Sequence, residues 1–341
     1  MPAPGILLSL AAAVPILLAA LAYRAGAIRR ARIARAVPRW RHYLFGAGLG
    51  LLLIAVEPPI ALWARRLFAV QQTGIMLARM VAPMLIAASR PAGLLIAGTP
   101  RRWREGVLKP ALGAAIVRRT WPRLAHPAVA LTLYVALFYL WESPPLQALA
   151  VRSSLAAFAM YASLLATGLL FWTRIFARRA EPHEVSHGQR LMMVWLSLLT
   201  QVLIGAALTI PETPFYPAYA AGERLMGVLP LLDQQRGGAI IWLPGAFLSL
   251  AALILAVDQW GRHETRLDEK RRRWTPSNSA ILLYPETARA LRAMTRTKNR
   301  RLALGLGGFT IVVFGWMIGM SAGAHQMDRA ANLREYQLSR S

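Results

Sequence analysis

The amino-acid sequence predicts an all-α fold, a polytopic membrane bundle of eight transmembrane helices with both termini outside the cytoplasm (N-out and C-out). Of its 341 residues, 56% are hydrophobic, and the mean hydropathy is +0.40. The apolar residues form runs long enough to cross a bilayer, instead of the periodic stripes of soluble helices. The basic residues lie between these runs, and they give the predicted orientation.

The distribution of basic residues explains the net charge of +25. Of the 40 lysines and arginines, 31 lie in the connections that follow the first, third, fifth and seventh predicted spans. This excess on one side is the positive-inside pattern, so those connections are predicted to be cytoplasmic. Because no basic domain interleaved with aromatic residues stands apart from them, we expect no nucleic-acid partner.

The chain contains no cysteine, which excludes disulfides and thiolate metal sites. None of its six histidines forms an HExxH motif. A phosphate-binding loop, a dinucleotide fingerprint and a nucleophile elbow are absent as well. We therefore predict a protein that is not an enzyme and needs no resident cofactor.

The predicted spans are each delimited by charges or prolines. The first is followed by seven basic residues and preceded by none, so it is expected to be a retained span and not a cleaved signal peptide. The second contains Glu57-Pro58-Pro59, where two residues without a backbone donor predict a kink. In chain order the spans are 5–23, 44–63, 68–88, 126–142, 153–172, 191–210, 239–257 and 302–320.

These spans divide the chain into three predicted parts. Residues 1–258 form a seven-helix membrane bundle, residues 259–301 form a basic cytoplasmic segment, and residues 302–341 form the eighth span with a short outer tail. Within the basic segment, residues 285–296 alternate apolar and basic side chains at helical spacing. Anionic lipids of the inner leaflet are the partner expected for that stretch.

Arg79 lies near the middle of the third predicted span, and a charge at that depth needs a partner or a water-filled cavity. On a helix it shares one stripe with Gln71 and Ile75. Carboxylates of neighbouring spans, Glu57 and Glu142, are within reach. We expect Arg79 to form a buried ion pair with one of them.

A second group of residues with metal-binding chemistry lies at the outer end of the eighth span. Thioether and imidazole ligands together suit Cu(I), although methionines at this spacing also serve as packing residues. The candidate ligands are Met317, Met320, His325 and Met327.

The connection before the seventh span carries a third group of candidates, in the stretch DQQRGGAIIW. Asp233 is predicted to lie just before the helix and to cap it, and Gly237 and Gly238 are predicted to allow close helix packing.

Several of these stretches resemble the CtaG-like family of cytochrome c oxidase assembly factors, polytopic proteins associated with copper delivery to haem-copper oxidases. The similarity covers about residues 43–260. It includes HPAVALTLYVALFYLWESPPL, SLLATGLLFW and PETPFYPAY. The family's DQQ-x-GG-x-x-x-W motif corresponds here to Asp233, Gln234, Gln235, Gly237, Gly238 and Trp242.

The departures from the family pattern concern its histidines. Four positions where the family typically has imidazole are occupied here by Gln71, Ile75, Glu142 and Tyr161. Amide and alkyl side chains bind copper poorly, and Arg79 adds an opposing charge one turn away. The resemblance therefore implies the family's fold, while its copper ligands do not carry over.

The function expected from these observations is that of a non-catalytic protein of the respiratory chain in the bacterial inner membrane. It would be an accessory subunit or an assembly factor of a haem-copper oxidase or its supercomplex, and the lost ligands and extra span favour the subunit. One alternative is a copper chaperone with ligands relocated to the C-terminal methionines and histidine. A second alternative is a small-solute transporter using Arg79 and the carboxylates, which the lack of a visible internal repeat disfavours.

Overall fold

The computed structural model describes residues 4–33, 37–57, 60–176, 185–220 and 227–272, together with residues 300, 304 and 308. Within these ranges all regular elements are helices. The contacts of the chain divide it into two units, Met1–Ala256 and Val257–Ser341, and the site described below lies in the first. The predicted all-α class is confirmed for the described residues.

Two of the helices before residue 125 are interrupted by π-helical turns, and two others are shorter than eight residues. Helix α4 contains a π-helical turn at Leu77–Val81, and α6 contains another at Arg104–Leu108. The bounds are α1 Pro4–Ile33, α2 Arg39–Val56, α3 Ile60–Trp63, α4 68–89, α5 Ala92–Gly98, α6 101–113 and α7 Ala115–Leu124.

The helices after residue 125 are mostly longer. The last of them runs through the whole seventh predicted span and beyond it. The bounds are α8 Pro127–Trp141, α9 Pro144–Arg152, α10 Ser154–Phe176, α11 His187–Thr209, α12 Pro217–Ala220 and α13 Pro230–Arg272.

Several helices are long and apolar enough to cross a membrane, as predicted. The described residues hold five such helices, or six if α7 and α8 count as one bent span. The five are Arg39–Trp63, Phe68–Ser89, Ser154–Phe176, His187–Thr209 and Pro230–Asp258. Apart from residues 304 and 308, the predicted eighth span lies outside the described residues, so the total of eight and the orientation of the termini stay predictions.

Local sequence signals explain the helix ends. Proline at the first position of α8 needs no hydrogen-bond acceptor for its nitrogen, and His126 is the N-cap. Helix α11 begins with a capping box in which Ser186 and Gln189 satisfy each other's backbone amides. Helix α2 ends at Val56, and Glu57 is extended, which agrees with the break predicted at the proline pair.

The start of the seventh span was predicted wrongly. Helix α13 begins at Pro230 and not at residue 239, so the DQQRGG stretch is helical. The two glycines and the polar residues argued for a turn, but their contacts with neighbouring helices hold this stretch in the helix.

The core of the first unit surrounds α4, which packs against α2 and α10. Of the most apolar stretch of α4, 56% is buried within the protein. Large side chains that are fully buried in this core include Phe68, Tyr134, Phe138, Phe171 and Trp172.

Candidate functional site

Asp233 is the N-terminal cap of α4, although it belongs to α13. Its Oδ2 accepts a hydrogen bond from the Phe68 amide at 2.6 Å, and its Oδ1 accepts one from the Ala69 amide at 3.1 Å. The first amides of a helix have no partner within it, and the positive end of the helix favours an anion. The capping prediction therefore holds in kind, but the helix that is capped is the third span and not the seventh.

The two glutamines after Asp233 tie α13 to the connection that follows α11. Gln234 accepts a hydrogen bond from the Phe215 amide at 2.5 Å through Oε1 and donates to the Leu208 carbonyl at 3.2 Å through Nε2. Gln235 donates to the Pro211 carbonyl at 3.4 Å. The two side chains thus bind backbone groups of the last turn of α11 and of the irregular segment that follows it.

The glycines of the same motif allow close helix contacts. A Cβ on Gly237 would collide with the Phe68 ring, and one on Gly238 would lie 2.5 Å from Thr209 Oγ1. Trp242, one helical turn further, packs against Gly205 of α11. The motif is therefore a structural clamp that joins α13 to α4 and α11.

Glu142, the C-cap of α8, is the buried carboxylate next to this clamp. Its Oε2 accepts hydrogen bonds from Gln72 Nε2 at 2.9 Å and from Gln147 Nε2 at 3.4 Å. The Tyr216 hydroxyl donates to the Glu142 backbone carbonyl at 2.8 Å. Glu142 thus connects α4 and α9 through its carboxylate and the segment around Tyr216 through its backbone carbonyl.

Glu142 lies one residue beyond the end of α8, and burial changes its acidity. Burial raises the pKa of its carboxyl to about 7, although the Gln72 hydrogen bond and the charge of Arg79 act in the opposite direction. Burial and the nearby Glu142 carboxylate also raise the pKa of the Tyr216 hydroxyl. This group of side chains therefore changes its charge near neutral pH through Glu142.

Arg79 lies deeper in the bundle and is buried, but its neighbours are aromatic. Its Cζ is 3.8 Å from the centroid of the Tyr134 ring and 4.0 Å from that of the Phe138 ring. These residues are one turn apart on α8, so both rings face the same guanidinium. Among the described residues no ion pair of Arg79 occurs, and its Nε and Nη2 have no hydrogen-bond partner there.

The contacts of Arg79 therefore differ from the expected ion pair with Glu57 or Glu142. Glu57 lies at the C-cap of α2. The charge of Glu142 acts on Arg79, but the two side chains form no ion pair among the described residues. The face of an aromatic ring carries partial negative charge and can stabilise a cation without a carboxylate. Such a ring pair was not predicted from the sequence, although the four-residue spacing of Tyr134 and Phe138 marks one helical face.

The backbone around Arg79 is also irregular. Pro83 lacks the amide that would bond to the Arg79 carbonyl, and its ring would clash with that carbonyl in a regular helix. The π-helical turn Leu77–Val81 relieves this conflict by placing the Ala82 amide on the Leu77 carbonyl. Gly168 of α10 lies against the Arg79 carbonyl, and a Cβ there would collide with it.

The four positions that resemble the family's histidine positions lie around the same end of the bundle. Gln71 Nε2 is 3.7 Å from Met160 Sδ, and Ile75 is 1% exposed. The Tyr161 hydroxyl lies directly against Gly74. Together with Glu142, these side chains present an amide, an alkyl group, a phenol and a carboxyl, which is a poor donor set for Cu(I).

Three of the described histidines lie away from this place. His42, His126 and His187 each lie at or near the N-terminal end of a helix, on the side of the bundle opposite to Glu142. In the described part of the chain, no three His, Asp or Glu side chains form a cluster that could hold a metal ion. The predicted ligands Met317, Met320, His325 and Met327 lie outside the described residues.

Comparison with known proteins gives a family match and distant relatives. The model of the family described as "cytochrome c oxidase caa3 assembly factor" matches residues 6–263, more than half of the chain. Uncharacterized proteins of Mycobacterium bovis and Mycobacterium tuberculosis are each 23% identical over 292 residues, and one of Mycobacterium leprae is 22% identical over 291. These alignments cover 82% of this chain but only 42% of each relative. No solved structure matches.

Proposed function

The chain belongs to the cytochrome c oxidase caa3 assembly factor family, and from this premise we propose that it acts by contact with a haem-copper oxidase in the bacterial inner membrane. In this role it is a non-catalytic accessory subunit, or an assembly factor that stays bound to the oxidase. It does not carry copper within its helix bundle.

The chemistry of the four substituted positions supports this proposal most directly. Copper would be cargo in a delivery protein, and Cu(I) binds soft sulfur and imidazole ligands. Gln71, Ile75, Glu142 and Tyr161 offer neither. Arg79 would place a positive charge close to any metal ion bound between them.

The hydrogen bonds of the same region support a structural role for the residues that remain. Gln72 and Gln147 are engaged with Glu142, and Gln71 faces a thioether. Asp233 and Gln234 hold backbone amides of other elements. The family motif is thus used to keep the bundle together, which is what a protein acting through its shape requires.

The test is purification of the full chain from native membranes in a mild detergent, followed by identification of the co-migrating proteins and by elemental analysis. We expect subunits of a haem-copper oxidase to co-migrate and copper to be well below one atom per chain. A chain that migrates alone would contradict the proposal that it acts by contact with an oxidase.

A variant separates the two possible sources of copper. The quadruple substitution Met317→Leu, Met320→Leu, His325→Gln and Met327→Leu removes the candidate ligands of the C-terminal region. Stoichiometric copper that is lost in this variant would favour the chaperone with relocated ligands. Stoichiometric copper that persists would reveal a site in the bundle and would overturn the proposal.

A further inference from the structure

Helices α6 and α7 form a segment with little protein around it. In α7 every side chain is exposed or half-buried, from Ala115 to Leu124. In α6, Trp103 is 64% exposed and Leu112 is 56% exposed. A pair of helices with large exposed apolar side chains needs another apolar surface to cover them.

Helix α7 has two chemically distinct faces. At 3.6 residues per turn, Ile116, Val117, Thr120, Trp121 and Leu124 fall within about 140° of its circumference. Ile116 is 70% exposed and Trp121 is 50% exposed. The opposite face carries Arg118, Arg119 and Arg123. An apolar face with tryptophan opposite a basic face is the pattern of helices that lie in a membrane interface.

Helix α6 repeats this composition. It exposes Trp103, Val107 and Leu112. Its charged residues are Arg101, Arg102, Arg104 and Lys109, with Glu105 as the one carboxylate, bonded to Arg101 at 3.0 Å. The two helices together carry seven basic residues and one acidic residue. The charge of this surface is therefore complementary to an anionic membrane.

The orientation of α7 fits the plane of a membrane. Its axis is bent by 81° from that of α8. Helix α8 is strongly apolar, whereas α7 has three arginines in ten residues, so α8 is the part suited to the hydrocarbon. If α8 runs across the bilayer, α7 runs along its surface.

A contact between α7 and a spanning helix indicates the depth of α7 in the membrane. The Trp121 ring centroid is 5.8 Å from Cζ of Arg174, which lies in the last turn of α10. Arginine and tryptophan at the end of a spanning helix mark the headgroup region. The apolar face of α7 therefore starts at the depth where lipid tails begin.

We propose that α6 and α7 form an interfacial anchor that inserts its apolar face into a leaflet and binds anionic lipid headgroups through its arginines. This segment differs from residues 285–296, which the sequence predicted for that role. The anchor holds the cytoplasmic ends of α8 and α10 at a fixed depth. It does not depend on the proposed contact with an oxidase.

The absence of cysteine from the chain allows a direct test. Each residue from 115 to 124 is replaced singly by cysteine in the full chain and spin-labelled. The proteins are reconstituted in vesicles of phosphatidylcholine with phosphatidylglycerol, and in phosphatidylcholine alone. Accessibility to oxygen, which enriches in lipid, is then compared with accessibility to a water-soluble nickel chelate.

We expect the ratio of oxygen to nickel accessibility to oscillate with the helical period in the mixed vesicles. The maxima should lie at positions 117, 120 and 124, and the minima at 115, 119 and 122. In phosphatidylcholine alone the oscillation should weaken. In the triple variant Arg118→Gln, Arg119→Gln and Arg123→Gln, the oscillation should have the same amplitude in the two kinds of vesicle. The control Arg65→Gln, Arg66→Gln and Arg152→Gln removes three exposed charges elsewhere and should keep it.

Four results would overturn the anchor. Uniform nickel accessibility would place α7 in water, and uniform oxygen accessibility would make α7 and α8 one broken span. The same oscillation in both vesicles would remove the role of anionic lipid. An oscillation seen only in native membranes that contain the oxidase would assign the face to a protein partner.

Discussion

Asp233 of α13 and Arg79 of α4 are both buried charged residues, but the bundle accommodates them in opposite ways. Both oxygens of Asp233 accept hydrogen bonds from the first amides of α4. The guanidinium of Arg79 instead lies against two rings, and its Nε and Nη2 have no partner among the described residues. The comparison separates a charge that the fold depends on from a charge that the fold tolerates.

The energetic difference follows from what each partner supplies. A hydrogen bond that involves a charged group contributes about 1.5–3 kcal/mol, and Asp233 receives two. Each desolvated cation–π contact contributes about 2 kcal/mol, so the two ring contacts of Arg79 mainly offset the cost of about 2.5 kcal/mol or more for a charge at that depth. We therefore expect changes at Asp233 to affect stability much more than changes at Arg79.

The largest effect is expected for Asp233→Ala. The buried Phe68 amide and the half-buried Ala69 amide of α4 would lose their acceptor, at about 1–3 kcal/mol for each fully buried group, so the free energy of unfolding should fall by up to about 4 kcal/mol. Asp233→Asn keeps one oxygen acceptor and should lose about half as much. Titration with sodium dodecyl sulfate in mixed micelles measures both. Equal losses for the two variants would show that negative charge, and not the hydrogen bonds, is what α4 requires.

An intermediate effect is expected for the pH dependence that Glu142 causes. Its folded-state pKa of about 7 lies above the ordinary 4.5, so the folded chain binds the proton more tightly than the unfolded chain. The contribution is fully present below about pH 4.5 and is lost as the pH rises through about 7. The free energy of unfolding of wild type should therefore be lower at pH 8 than at pH 5.

Glu142→Gln serves as the matched variant for this comparison, because its amide has the same shape and does not titrate. Unfolding in detergent at pH 5 and at pH 8 should show a smaller decrease for Glu142→Gln than for wild type. The same decrease in both proteins would mean that another group causes the pH dependence. Arg79, Tyr216 and Tyr219 are the charged or titratable groups whose charge acts on or responds to Glu142.

The smallest effect is expected for substitutions of Arg79. An ammonium group cannot lie flat against two rings, so Arg79→Lys should be less stable than wild type by about 1 kcal/mol. Arg79→Met fills the same space, contacts the rings through sulfur and removes the buried charge, so it should be at least as stable as wild type. The same micelle titration measures both, with the exposed Arg66→Lys and Arg66→Met as controls.

If the free energy of unfolding of Arg79→Met were lower than that of wild type by about 3 kcal/mol or more, the ion pair predicted from the sequence would be supported. Removing one partner of a buried ion pair leaves the other charge unpaired, which has an effect of this size. The double variant Arg79→Met with Glu142→Gln would then recover part of the loss. If the double variant recovers no stability, the carboxylate paired with Arg79 would be Glu57 and not Glu142.

Sequence reasoning located the spans well and their contacts poorly. The start of α8 at Pro127, the end of α2 before the proline pair and the start of α4 at Phe68 agree with the predicted positions. Proline and charged residues act on the backbone and the membrane position of their own segment, so their effects can be predicted from the sequence. The start of α13 was missed, because the contacts that keep Gly237 and Gly238 helical come from α4 and α11.

What the sequence by itself determined is the all-α class, the family and the absence of imidazole from four positions, since each depends on residue type along one segment. What only the tertiary structure decided is which groups meet. Asp233 caps a helix that begins 165 residues earlier. Arg79 meets the faces of Tyr134 and Phe138 and, in the part of the chain that the structure describes, no carboxylate. The physical reason is that a buried charge selects its partner from all neighbouring helices, and helix packing, which is non-local, determines which of them is close enough.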